Sequence, residues 1–159
     1  MNLYEPLAKW ANLTPDKTAL IDVPADRRVS FATLQSRVHQ LANGFVRSGL
    51  TKGDRVAILS TNCIEYFEIY YACALAGFIA QPLNWRLSAQ EIARILEDGE
   101  PSLFISHYDY AAIKDEVASL TKESLPNLQF LQCCSGADDS FEVLISASSD
   151  KAPAVDVDA

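Results

Sequence analysis

The sequence predicts an α/β domain in which one parallel sheet is flanked by helices. Four short runs rich in Val, Ile, Leu and Phe recur at residues 55–59, 78–83, 103–106 and 128–133. Their starts lie about 25 residues apart, the spacing of βαβ units. Segments with helical apolar periodicity fill the gaps, and that alternation builds a parallel sheet.

Each element has its own signal. Leu3, Leu7 and Trp10 predict an N-terminal helix packed on the domain. Residues 18–22 and 28–31 read as a short strand pair. Phe31, Leu34, Val38, Leu41 and Phe45 recur at spacings of three and four, so they line one face of a helix that Gly49 closes. Lys52, Gly53 and Asp54 turn the chain into the strand RVAIL. Ser60, Thr61 and Asn62 are the expected caps of the next helix, with Ile64, Phe67, Tyr71, Ala74 and Leu75 as its buried stripe and Gly77 at its end. Ser88-Ala-Gln-Glu91 is a capping box, in which Ser88 and Glu91 satisfy each other's free backbone donors. Ile92, Ile95 and Leu96 follow on one face, and Gly99 with Pro101 stops that helix.

Residues 1–134 are thus the expected α/β portion. From Ser135 onward the sequence turns acidic and rich in small residues, so 135–159 is expected to be a linker leading elsewhere.

Composition narrows the function classes. The chain has 159 residues, 49% of them hydrophobic, which suits one globular domain with a real core. A formal charge of -8 repels the phosphates that dominate nucleic-acid affinity, so nucleic acid is not an expected partner. The start MNLYEPLAKW has neither a secretory nor a transit pattern, and the longest apolar stretch, 69–80, is too short to span a bilayer. A cytoplasmic location without a transmembrane segment is expected. Cys63, Cys73, Cys133 and Cys134 follow no metal-site spacing and read as reduced thiols, with no metal site expected.

The order of these pieces resembles a known family. VSFATLQSRVHQLANGFVRSGLTKGDRVAIL, followed by STNCIEYFEIYYACALAGFIAQPLNWRLSAQEIARILEDGEPSLFIS, is similar to the N-terminal region of the AMP-forming acyl-adenylate synthetases. The resemblance spans residues 1–133 and is strongest over 51–106. PLNWRL followed by the Ser-Ala-Gln-Glu helix start looks like the acyl-CoA synthetases more than the amino-acid activators. It implies an incomplete part of a large N-terminal domain. It also implies a parent enzyme that joins a fatty or aromatic carboxylic acid to coenzyme A, using ATP and Mg2+ through an acyl-adenylate.

The family grips ATP phosphates with a loop of the type YTSGTTGxPKG, and no such run occurs here. The ending VDVDA resembles the acidic lead-in to that loop. No catalytic residue is therefore carried over, and the chain by itself is expected to bind none of these cofactors tightly. Its expected partner is the rest of the synthetase, and self-association through exposed apolar surface is a further expectation.

Two residues are candidates for binding. The resemblance implies that Arg86 lies near a phosphate of coenzyme A, work that suits a planar, permanently charged guanidinium. The other reading of Arg86 is a surface arginine paired with Glu91. Asn84, just past a strand end where open parallel sheets hold ligands, is the second candidate; otherwise it bonds the local turn. The Gly49-to-Asp54 segment follows a helix and opens a strand, the reverse of a P-loop, so it is a turn. His39 and His107 have no sequence neighbours that suggest a catalytic triad, and Tyr66, Tyr70 and Tyr71 read as packing groups. The alternative to a synthetase portion is a stand-alone flavodoxin-like binding or regulatory module.

Overall fold

The structure, a computed structural model, describes residues 2–155. Its centre is a parallel sheet of β3 (Arg55–Leu59), β4 (Ile79–Pro82), β5 (Leu103–His107) and β6 (Gln129–Cys133), in the order β4-β3-β5-β6. These strands coincide with the four predicted runs apart from their end residues. The predicted strand pair is an antiparallel hairpin of β1 (Thr18–Asp22) and β2 (Arg27–Ser30).

Why the central runs are almost wholly apolar follows from the layers. In β3, Val56 and Ile58 enter one core while Ala57 and Leu59 enter the other. In β5, Leu103 and Ile105 join the first and Phe104 the second. A strand covered on both faces cannot alternate with polar residues. The first core also receives α1 (Glu5–Leu13), α2 (Phe31–Arg47), α3 (Ile64–Ala76) and α6 (Ser140–Ser146). The second is covered by α4 (Ala89–Gly99) and α5 (Ala111–Thr121). After β3 the chain steps to β4 on one side, then crosses to β5 on the other. Right-handed crossovers in opposite directions place α3 and α4 on opposite faces.

The helix ends show which local signals hold. Ser88 Oγ accepts the Glu91 amide, and Glu91 Oε2 accepts the Ser88 amide at 2.8 Å, closing the capping box. Gly77 ends α3 at φ 75°, a left-handed conformation that costs glycine little. At the end of α4 the left-handed residue is Glu100, at φ 44°, not Gly99. Gly99 instead lies under the amide end of the Gln81 side chain, which a Cβ there would have to displace.

Four expectations are corrected. Helix α3 is capped at Cys63 without a side-chain bond, because Ser60 Oγ donates instead to the Thr61 carbonyl. Its buried stripe is Ile64, Glu65, Glu68, Ile69, Ala72, Cys73 and Ala76, while Phe67 is 47% exposed. Arginine partners make the inward turn of Glu65 and Glu68 tolerable. In α1, Leu7 and Ala11 are buried, whereas Trp10 and, ahead of the helix, Leu3 are exposed. In α4, Ile95 is partly exposed and Ala93 takes its place inside.

The stretch expected to be a linker also contains structure. Asp139 caps α6 by accepting the Glu142 amide at 2.8 Å, and Phe141 and Ile145 enter the first core. Leu144 packs where α2 has only Gly44, whose added Cβ would lie 2.7 Å from Leu144 Cγ. Beyond α6, side chains of α2 hold the backbone: Asn43 donates to the Ser149 and Lys151 carbonyls, and Arg47 to that of Ala147.

Candidate functional site

The sheet order reverses between β3 and β5, and open α/β sheets hold ligands at the carboxyl ends of strands beside such a switch. A cleft of about 600 Å³ lies there. Cys63 follows β3, His107 ends β5 and Cys134 follows β6, so three strand ends contribute to its lining. The β1–β2 hairpin adds Asp22 and Arg27, α2 adds Arg37, α3 adds Glu65 and Glu68, and α6 adds Glu142.

Two ion-pair systems brace this cleft. Arg27 donates through Nη1 and Nη2 to both carboxylate oxygens of Glu65, at 2.8 and 2.9 Å, and so ties the hairpin to α3. Burial pushes the Glu65 carboxyl up, but the Arg27 bonds, the helix backbone and the guanidinium charge pull it down to about 2. Arg37 donates bidentately to Glu68, at 2.5 and 3.0 Å, and to Glu142, at 3.0 and 2.5 Å. One guanidinium thus joins α2, α3 and α6. Glu68 is 0% exposed, and burial raises its carboxyl above the usual range although Arg37 opposes the rise.

The lining is acidic: Asp22, Glu65, Glu68, Asp139 and Glu142 face only Arg27 and Arg37, both already paired. Such a surface repels a phosphate, so the cleft as it stands does not fit the nucleotide that the sequence resemblance implies. Nor does it offer a ready nucleophile. The Cys63 thiol is pushed well above its ordinary range by its hydrogen bond with Cys134 and by burial.

All four cysteines are free, and tertiary structure brings two of them together. Cys63 and Cys134 lie with their Sγ atoms 3.9 Å apart although 71 residues separate them. Glu65 completes a cluster whose donor atoms lie within 4.8 Å of one another. Adjacent Cys133 and Cys134 are the only pair that sequence spacing suggests, and Cys133, the last residue of β6, is buried in the first core.

Asn84 and Arg86 lie outside the cleft, past the end of edge strand β4. Asn84 Oδ1 accepts the Arg86 amide at 3.0 Å, so Asn84 does bond the local turn. The Arg86 guanidinium carbon lies over the Trp85 ring, 4.0 Å from its centroid, and Arg86 makes no ion pair among the described residues. Glu91, the partner considered for it, is engaged with Ser88. Trp85 packs against Tyr110, and Tyr110 against His107, so an aromatic path connects the Arg86 turn to the rim of the cleft.

Arg27, Arg37, Glu65, Glu68 and Glu142 were not singled out by sequence reasoning. A signal existed for two of them: Glu65 and Glu68 interrupt an otherwise apolar helix three residues apart, and charges in such a run are buried only when paired.

Comparison with known proteins agrees with the resemblance seen in the sequence. The AMP-binding enzyme family matches residues 7–156. The chain is 30% identical to the long-chain-fatty-acid–CoA ligase FadD13 of Mycobacterium tuberculosis, over 98% of this chain and 30% of that protein. It is 34% identical to crotonobetaine/carnitine–CoA ligase of Salmonella enteritidis, over 73% of this chain and 23% of that protein. The crystal structure of the N-terminal domain of FACL13 from M. tuberculosis superposes with a TM-score of 0.87 at 26% identity, covering 98% of this chain and 38% of that one. The chain therefore spans less than a third of the curated relatives' length and matches their N-terminal part. These matches do not favour a stand-alone flavodoxin-like module. With its sheet, its layers and nearly its whole length matched, the chain belongs to the AMP-binding enzyme family.

Proposed function

We propose that this chain is the N-terminal portion of an AMP-forming acyl-CoA synthetase and does not catalyse by itself. The observation that carries the proposal is the asymmetry of the matches, which cover 98% of this chain but 30% of the FadD13 ligase. The acidic cleft agrees with it, because its lining repels the phosphates the reaction must hold. In the parent reaction a carboxylate oxygen attacks the α-phosphorus of ATP and releases pyrophosphate; the thiol of coenzyme A then takes the acyl group and releases AMP. Mg2+ accompanies the ATP. A fatty or aromatic acid is the substrate class, and the setting is the cytoplasm.

In this reading the chain supplies one sheet and its helices, helps wall the acyl and coenzyme A sites, and presents Arg86 to a coenzyme A phosphate. Two features support that last role. The guanidinium is exposed without a carboxylate partner among the described residues, and its position over the Trp85 ring steadies it. Reading the coding sequence beyond Ala159 tests the proposal as a whole. A Ser/Thr/Gly-rich phosphate loop is expected there; a stop codon with no such loop downstream would favour the binding-module reading.

A further inference from the structure

The cysteine pair at the mouth of the cleft has a geometry that the synthetase reaction does not use. Four tetrahedral ligands around Zn2+ with Zn–S bonds of about 2.3 Å place two sulfurs about 3.8 Å apart. Cys63 Sγ and Cys134 Sγ are 3.9 Å apart. A carboxylate oxygen at about 2.0 Å from the same ion lies about 3.5 Å from each sulfur. Here the Glu65 oxygen is within 4.8 Å of both. We propose that Cys63, Cys134 and Glu65 form a binding site for a thiophilic divalent cation, Zn2+ in chemical class.

Placement and charge support the site independently of its distances. Both sulfurs are half-buried rather than sealed in the core, and both line the cleft, so an ion has a path to them. Among the lining residues, five carboxylates outnumber two guanidiniums, and a low-dielectric concavity of that sign concentrates cations. Glu65 is already bonded to Arg27, but an ionised carboxylate has about four lone-pair positions and a bidentate arginine occupies two. Three protein ligands leave the fourth position for water or a small donor.

On binding, each thiol gives its proton to solvent as its sulfur becomes a ligand; no electrons move and no oxidant is required. The ion would clip the loop after β3 to the loop after β6 across the cleft mouth. Cys134 already holds a left-handed backbone there, at φ 69°, in the turn that aims its side chain toward Cys63. The site is independent of the acyl-CoA synthetase reading and stands or falls separately from it.

The test uses the untagged 159-residue chain, reduced and free of oxygen, titrated with Cd2+. One equivalent is expected to produce the ultraviolet thiolate-to-metal charge-transfer band and to raise the melting temperature. Cys63→Ser or Cys134→Ser should remove at least half of the band and the double variant all of it, whereas Cys73→Ala should retain it. Glu65→Gln should weaken binding at least as much as the roughly 10- to 100-fold that loss of an outer-sphere partner costs. Circular dichroism verifies the fold of each variant. X-ray absorption on the unmutated Zn2+-loaded chain gives a second readout, expected to show two sulfur neighbours at about 2.3 Å. No band at one equivalent, a band that survives in the double serine variant, or a zinc shell without sulfur would overturn the proposal.

Discussion

Glu65 is a carboxylate that burial would neutralise and Arg27 keeps charged. Its folded value, about 2, lies below the ordinary carboxylate range. The pairing therefore adds stability that is fully present above that range and is lost as pH falls toward about 2. Arg27 is half-exposed, so removing it should cost less than the ~3–5 kcal/mol of a broken buried pair and more than the ~1 kcal/mol of a surface one. Urea midpoints of the unmutated chain and Arg27→Ala, measured from neutral pH to pH 3, should converge as pH falls. A gap that stays constant would mean that Arg27 acts by packing alone. Arg86 is tested in the extended enzyme. If it grips a coenzyme A phosphate, Arg86→Ala removes a charge-assisted contact of roughly 1.5–3 kcal/mol, raising the apparent constant for coenzyme A about 10- to 150-fold while adenylation proceeds at its former rate. Arg86→Lys should recover only part of the loss. Equal losses in both half-reactions, together with a lower melting temperature, would retire the ligand role.

The elements differ in how openly the sequence displayed them. Strands β3 and β5 were legible because both faces are buried and their apolar runs are nearly unbroken. The start of α4 was legible because Ser88 and Glu91 carry its capping chemistry within four residues. Helix α3 was found, but its inward face was misjudged: apolar periodicity favoured Phe67, and only the distant Arg27 and Arg37 make Glu65 and Glu68 the buried choice. The cleft was invisible for the same reason, since hydrogen bonds that join residues as far apart as Arg37 and Glu142 leave no local pattern. Helix α6 was hidden by composition, because its acidic, small-residue flanks outweigh Phe141 and Ile145. Phe141→Ala should cost about 3–5 kcal/mol if α6 belongs to the folded unit, seen as an earlier urea midpoint. A change within a few tenths of a kcal/mol would restore the linker reading. Ser88→Ala should cost about 1 kcal/mol by the same measurement.

At the scale of the whole molecule, one side is left apolar. Phe67 and Asn62 are shared by two adjoining depressions, one lined also by Leu20, Ile21 and Val23 and the other by Leu3, Tyr66 and Tyr70. Monomers rarely expose a contiguous apolar patch beyond a few hundred Å², so the isolated chain should bind a hydrophobic dye or self-associate through this side. A monodisperse monomer without dye binding would count against a missing partner. Among the described residues no helix is long and apolar enough to cross a membrane.

If this chain is the N-terminal portion of an acyl-CoA synthetase, as proposed, and does not catalyse by itself, acid-dependent pyrophosphate release from ATP separates it from the extended enzyme. Assayed with a panel of fatty and aromatic acids, the isolated chain should not exceed a buffer blank, whereas the polypeptide extended through the coding sequence beyond Ala159 should turn over. Acid-dependent turnover that copurifies with the isolated chain, or an extended polypeptide that releases no pyrophosphate with any acid, would contradict the account.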